Sequence, residues 1–172
     1  MTLGLLVIRV IAGLTMAAHG GQKLFGWFEG PGRGGTAGMM EKLGYREPAI
    51  MASLAGLAEF AGGLAFALGF LTPFAGIAIV IVMLNATFTV HLKNGFWNTA
   101  SGYEYPLVMS AIAVAIAATG PGDASADSAL GFMGALSGDV WALVVVVSAL
   151  VASTATMTFG RHHEQMPGHP VR

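Results

Sequence analysis

Apolar residues fill most of this chain in five stretches, separated by short polar or glycine-rich segments. They cover about residues 3–28, 48–70, 74–91, 103–119 and 140–159. A helix rises 1.5 Å per residue, so about 20 apolar residues cross the roughly 30 Å hydrocarbon core of a bilayer. Helices packed on a soluble core keep a polar face, and these stretches show almost none. The pattern therefore predicts an all-α fold, a polytopic transmembrane helical bundle. It forms one domain over residues 1–159, followed by a polar tail over 160–172.

The breaks between stretches give the finer outline. Gly30–Gly38 reads as a flexible loop, and Met39–Tyr45 as a short interfacial helix. Pro48 suits the first position of the second span, where its missing N–H costs nothing. Thr72-Pro73 reads as a tight turn. Lys93–Gly102 is a polar loop carrying an interfacial Trp97, and Gly120–Ser128 is a turn-rich connection. The first stretch lacks a basic segment ahead of it, and Ala17-Ala18-His19 is a poor cleavage site, so it reads as a retained span.

Composition narrows the class. Only 10% of the residues are charged and 55% are hydrophobic, against about 25% charged in a soluble domain. The lipid bilayer is thus the first expected partner. The chain has no cysteine, which excludes disulfides and thiolate chemistry of its own. A net charge of −1 offers no basic surface for nucleic acid. Lys23, Arg33, Lys42, Arg46, Lys93, Arg161 and Arg172 all fall on one side of a five-span arrangement, while Asp123, Asp127 and Asp139 fall on the other. The positive-inside rule then expects a multi-pass protein of the cell membrane, with its N-terminus outside and its tail in the cytoplasm.

Glu59 stands alone in the apolar run Ile50–Leu71. A carboxylate at that depth costs several kcal/mol unless it is held, so it marks either helix assembly or chemistry. Ala52, Gly56, Glu59, Gly63 and Ala67 form one stripe at helical spacing, and small residues let a neighbouring helix approach. Arg9, Gly13, Met16, Gly20 and Lys23 form a matching stripe on the first span. Counted from the outer ends at 1.5 Å per residue, Arg9 lies roughly 9 Å deep and Glu59 roughly 16 Å, a gap an arginine can bridge. An Arg9–Glu59 pair is therefore expected. Such a pair either sets the register of two helices or serves a redox, proton or ligand role.

A second group gathers at the cytoplasmic ends. His19 and Lys23 close the first span, His91 ends the third with Asn94 and Trp97 just after, and Glu104 and Tyr105 open the fourth. Together these groups can bind a polar head such as a quinone ring, whose carbonyls need donors. Singly, interfacial His, Lys and Trp also anchor helix ends. No metal-ligand spacing is present, so no metal site is expected.

In order and spacing, several segments carry a family resemblance. They are Arg9, His19-Gly20, Lys23-Leu24-Phe25-Gly26, Gly30-Pro31-Gly32, Glu59 before Gly62-Gly63, and Gly69 to Pro73. His91, Asn94 to Trp97, Gly102 to Tyr105 and Gly120-Pro121-Gly122 continue the series. The chain resembles the DoxX family of small bacterial integral membrane proteins, over about residues 3–127. The resemblance implies a core of about four spans, to which residues 140–159 add a fifth. It also implies kinship with DoxD-type subunits of thiosulfate:quinone oxidoreductase. Soluble partners such as a sulfurtransferase or a superoxide dismutase are implied for some relatives.

The resulting expectation is a membrane component of a redox system that links sulfur or thiol oxidation to the quinone pool. His19 and His91, with Lys23, Asn94 and Trp97, would orient the quinone. Glu59 or Glu104 would handle protons, and Arg9 would stabilise charge. A scaffold for soluble redox proteins and a small transporter are the alternatives. The glycine-rich stripes also permit a homo-oligomer.

Overall fold

The computed structural model describes residues 2–162. The expected tail beyond His162 lies outside them, with His163 and His169. The described chain folds as seven helices: α1 (Thr2–Phe25), α2 (Gly32–Lys42), α3 (Pro48–Leu68), α4 (Thr72–Ala86), α5 (Glu104–Thr119), α6 (Ala126–Ala129) and α7 (Asp139–Phe159). A π-helical turn over Thr87–His91 prolongs α4. Among the described residues, four helices are long and apolar enough to cross a membrane: Leu3–Phe25, Pro48–Leu68, Thr72–Asn94 and Asp139–Phe159. The fourth expected span, α5, is apolar but has 16 residues, about 24 Å at 1.5 Å per residue.

The five long helices match the apolar stretches closely, and the differences have local causes. α1 stops at Phe25 rather than Phe28, because Gly26 turns left-handed (φ 74°) and Phe28 follows at φ 53°. The expected loop at residues 30–38 is largely helical, since α2 begins at Gly32. Buried Thr36 pins it by donating its hydroxyl to Gly32 O and towards Lys23 O, at 2.8 and 3.2 Å. Tyr45 lies past the end of α2 rather than inside it.

α1 and α3 form the most extensive helix pair. Their two small-residue stripes face each other, and both are buried along their length apart from Lys23 at the end. A Cβ on Gly13 would sit 2.5 Å from Ala67 N and 2.6 Å from Gly63 O, so only glycine permits this approach. α4 is the centre of the other half and packs against α3, α5 and α7. Met16, Phe66, Ile79, Ile116, Val145 and Ala149 fill the core between them.

The outer surface is apolar instead of polar. Ile11 and Leu14 on α1, Leu54, Leu57 and Leu68 on α3, and Leu143 and Val151 on α7 are all exposed. Apolar surface on this scale marks contact with lipid rather than water. The chain is a membrane protein of the helical-bundle kind.

Candidate functional site

The structure buries two sets of charges, one at each end of the α1–α3 pair. At the end holding the N-terminus, Arg9 donates Nε to Ala67 O (3.0 Å), Nη1 to Pro121 O (2.5 Å) and Nη2 to Ala124 O (2.7 Å). The first is a carbonyl of the last turn of α3, where a cation is favoured. Buried Asp127 answers at the start of α4, accepting from Leu71 N, Thr72 N and Thr72 Oγ1 at 2.7, 2.9 and 2.6 Å. Gly69 turns left-handed between them (φ 63°), and a side chain there would meet the guanidinium.

The expected Arg9–Glu59 pair does not form. The interlocked stripes set Arg9 level with Ala67, two turns from Glu59, so the depth counted from helix ends was misleading. Glu59 pairs instead with Lys23, Nζ to Oε1, at 2.5 Å. The stripes place Lys23 one turn beyond the level of Glu59, and its long side chain reaches back. The Glu59 side chain is 3% exposed, and its second oxygen, Oε2, has no hydrogen-bond partner among the described residues. A buried carboxylate oxygen left unbonded is costly and uncommon. His19 and Tyr105 lie near enough to act on Glu59 electrostatically, and their rings are 5.6 Å apart.

Lys23 also lines a cavity of about 570 Å³. α3 supplies one wall with Met51, Leu54, Ala55 and Ala58; α4 and its π-helical turn form the back from Ile81 to Val90. α7 forms the other wall with Ala155, Thr156 and Phe159, and Met39, Met40 and Leu43 cover the end. The volume falls in the range of pockets for small organic ligands, and the lining is apolar with few polar groups. Two of those groups, Tyr45 and Asn85, bind each other: Tyr45 OH donates to Asn85 Oδ1 at 3.3 Å. Asn85 Nδ2 donates to Ile81 O (2.9 Å) and Ser153 Oγ (3.2 Å), so α4 is tied to α7. Burial pushes the Tyr45 hydroxyl up from its ordinary range against the opposing pull of Arg161, and it remains a donor.

The other anticipated residues serve their own loop. His91 Nδ1 and Asn94 Nδ2 both bond Ser101 O, at 2.7 and 3.2 Å. Glu104 accepts from Asn98 N at 2.9 Å, and Trp97 stacks edge-on against Phe96. His91, Asn94, Trp97 and Glu104 are thus absent from the cavity lining. Of the expected site residues, Lys23, Glu59 and His19 are brought together and Lys23 alone reaches the cavity. Among the described residues, no group of three or more His, Cys, Asp or Glu is placed to hold a metal ion.

A membrane helical bundle with a buried lysine–glutamate pair beside an apolar cavity is the class that the fold and site define. A family model, DoxX, matches residues 4–92, and the chain belongs to the DoxX family. That match spans α1 to α4 and includes Arg9, His19, Lys23, Glu59 and His91. A curated relative from Bacillus subtilis (strain 168), named "Putative oxidoreductase CatD", is 29% identical over 114 residues, 66% of this chain and 78% of its own length. No solved structure matches the chain.

Proposed function

We propose that this protein is the membrane component of a redox system, binds a quinone head in the cavity at Lys23, and passes electrons towards the quinone pool. One observation carries the proposal: a buried carboxylate, bonded through one oxygen only, holds an ammonium at the wall of an apolar cavity. An ammonium has three N–H donors and Glu59 engages one, so others are free for a carbonyl oxygen. The apolar walls suit a ring and the start of a hydrocarbon tail. Tyr45 and Asn85 already satisfy each other and act as wall.

Quinone reduction takes up two protons with its electrons. Lys23 can give a proton to the bound oxygen; Glu59, ionised while it pairs with Lys23, takes up a proton from outside the pair and returns it to the neutral amine, and a second round supplies the second proton, with His19 and Tyr105 close by. The electrons come from outside the chain, from a sulfur compound or the thiols of a partner, since no cysteine is present. The relative's name as an oxidoreductase supports the class of reaction. Arg33, Lys42 and Arg46 are exposed near the cavity's covered end and offer a basic face to a soluble partner of the sulfurtransferase or superoxide dismutase kind. With Lys23 and Arg161 at that end and Arg9 with Asp127 at the other, the same asymmetry favours a cytoplasmic tail and an outside N-terminus in the cell membrane.

Binding in lipid nanodiscs tests the reading. A benzoquinone with a ten-carbon tail should bind saturably, and Lys23→Met should weaken it about tenfold through one lost charge-assisted hydrogen bond. Uptake no greater than in protein-free nanodiscs would overturn it.

A further inference from the structure

α3 and α7 both flank α4, yet they make no more than glancing contact with each other. The cavity occupies the slot between them, with α4 as its back. At the membrane surface this slot is strapped shut. Arg46 N donates to Gly160 O (2.9 Å) and His162 N to Gly44 O (2.8 Å), an antiparallel bridge between the α2–α3 hairpin and the end of α7. Arg161 adds Nε to Leu43 O at 2.8 Å, and its guanidinium stands over the Tyr45 ring at 5.8 Å. Below the strap, among the described residues, no side-chain hydrogen bond or ion pair joins α3 to α7. The residues at this side are large, apolar and exposed: Leu54 is 54% exposed, Met39 42% and Phe159 77%. Leu54 and Phe159 stand on α3 and α7, spans whose outer surface meets lipid, and Met39 stands on the short helix α2 beside them.

We infer that the slot between α3 and α7 is a lateral portal, through which a ligand dissolved in the bilayer reaches Lys23 without crossing the aqueous surface. The ligand class is an amphiphile with a hydrogen-bond-accepting head and an apolar tail; the head lies at Lys23 and the tail leaves between Leu54 and Phe159. This deepens the quinone reading and rests on it for the identity of the head, but the route is a property of the helix packing. α7 lies outside the matched family region and supplies one side of the portal, together with the Ser153 that holds Asn85 and the Arg161 of the strap. The fifth span is therefore a functional wall of the site.

The chain has no cysteine, so introduced thiols report without background. Leu54→Cys with Phe159→Cys puts one thiol on each wall of the slot, and a bifunctional maleimide joins them across it. In nanodiscs, the cross-linked protein should exchange the ten-carbon-tailed benzoquinone at least about tenfold more slowly than either single variant carrying the same reagent. Unchanged exchange would overturn the portal. A second measurement needs no quinone. A bimane on Ala86→Cys, at the back of the cavity, should be quenched by phospholipids brominated on their acyl chains and protected from aqueous iodide. Quenching by iodide with none by bromolipid would place the entrance on the aqueous side and refute the portal. If bromolipid quenches but the benzoquinone does not bind, the portal stands and the quinone head is the part that fails.

Discussion

The two ends of the α1–α3 pair bury charge in opposite ways. At one end Arg9 spends Nε, Nη1 and Nη2 on carbonyls, and both oxygens of Asp127 accept bonds from the start of α4. Those groups close the end of α3, the start of α4 and the loop after α5 on one another. At the other end Glu59 has one bonded oxygen and one unbonded, and its partner borders open space. A saturated buried charge acts as a fastener, because any ligand would have to break an existing bond. An unsaturated one retains bonding capacity, and its desolvation cost is recovered only when something else binds.

The two ends should therefore respond differently to mutation. Arg9→Leu should have the largest effect on the fold. It strands three carbonyls and leaves Asp127 without its cation, a loss of about 4 kcal/mol or more, read as a lower unfolding midpoint in detergent. Asp127→Asn should follow the same direction by a smaller amount, because an amide still accepts one of its bonds. Gly63→Ala should come next, at about 1–3 kcal/mol for forcing two close backbones apart; its Cβ would lie 2.5 Å from Ala17 N and 2.6 Å from Gly13 O. Glu59→Gln should cost the fold less than about 1.5 kcal/mol, since the amide oxygen still accepts from Lys23, yet it should abolish turnover with a quinone acceptor. His91→Ala should leave quinone-analogue binding within about twofold, as surface changes do. Strong loss of binding in that variant would return the loop after α4 to the site and dissolve the distinction between the ends.

Much of the fold is legible in the residue pattern, because lipid enforces it. Every backbone group in hydrocarbon must be bonded within its own helix, so the length of each apolar run sets each element. The stripes through Gly13 and Gly63 were equally plain. Their register was legible too: setting Gly13 against Gly63 and Gly20 against Gly56 places Arg9 beside Ala67. Counting depth from the helix ends hid this and produced the Arg9–Glu59 expectation. The true companion of Arg9 carried no local signal, since Asp127 lies 118 positions away in a turn-rich segment, and its role as a cap depends on the fold. His91, Asn94 and Glu104 share an end with Lys23 and yet turn into their own loop, where Ser101 O bonds the first two and Asn98 N donates to the third. The cavity was illegible for a different reason: it is a gap between α3 and α7, and a pattern of residues records contacts better than it records their absence.

The carboxylate of Glu59 should respond to a ligand bound beside Lys23. Infrared difference spectra of the protein in nanodiscs, taken on adding the ten-carbon-tailed benzoquinone, read that carboxylate without a reporter group. The expected result is a change in the carboxyl and carboxylate bands that disappears in Glu59→Gln and persists in His91→Ala. Spectra in which Glu59→Gln shows the same bands as the native protein would contradict it.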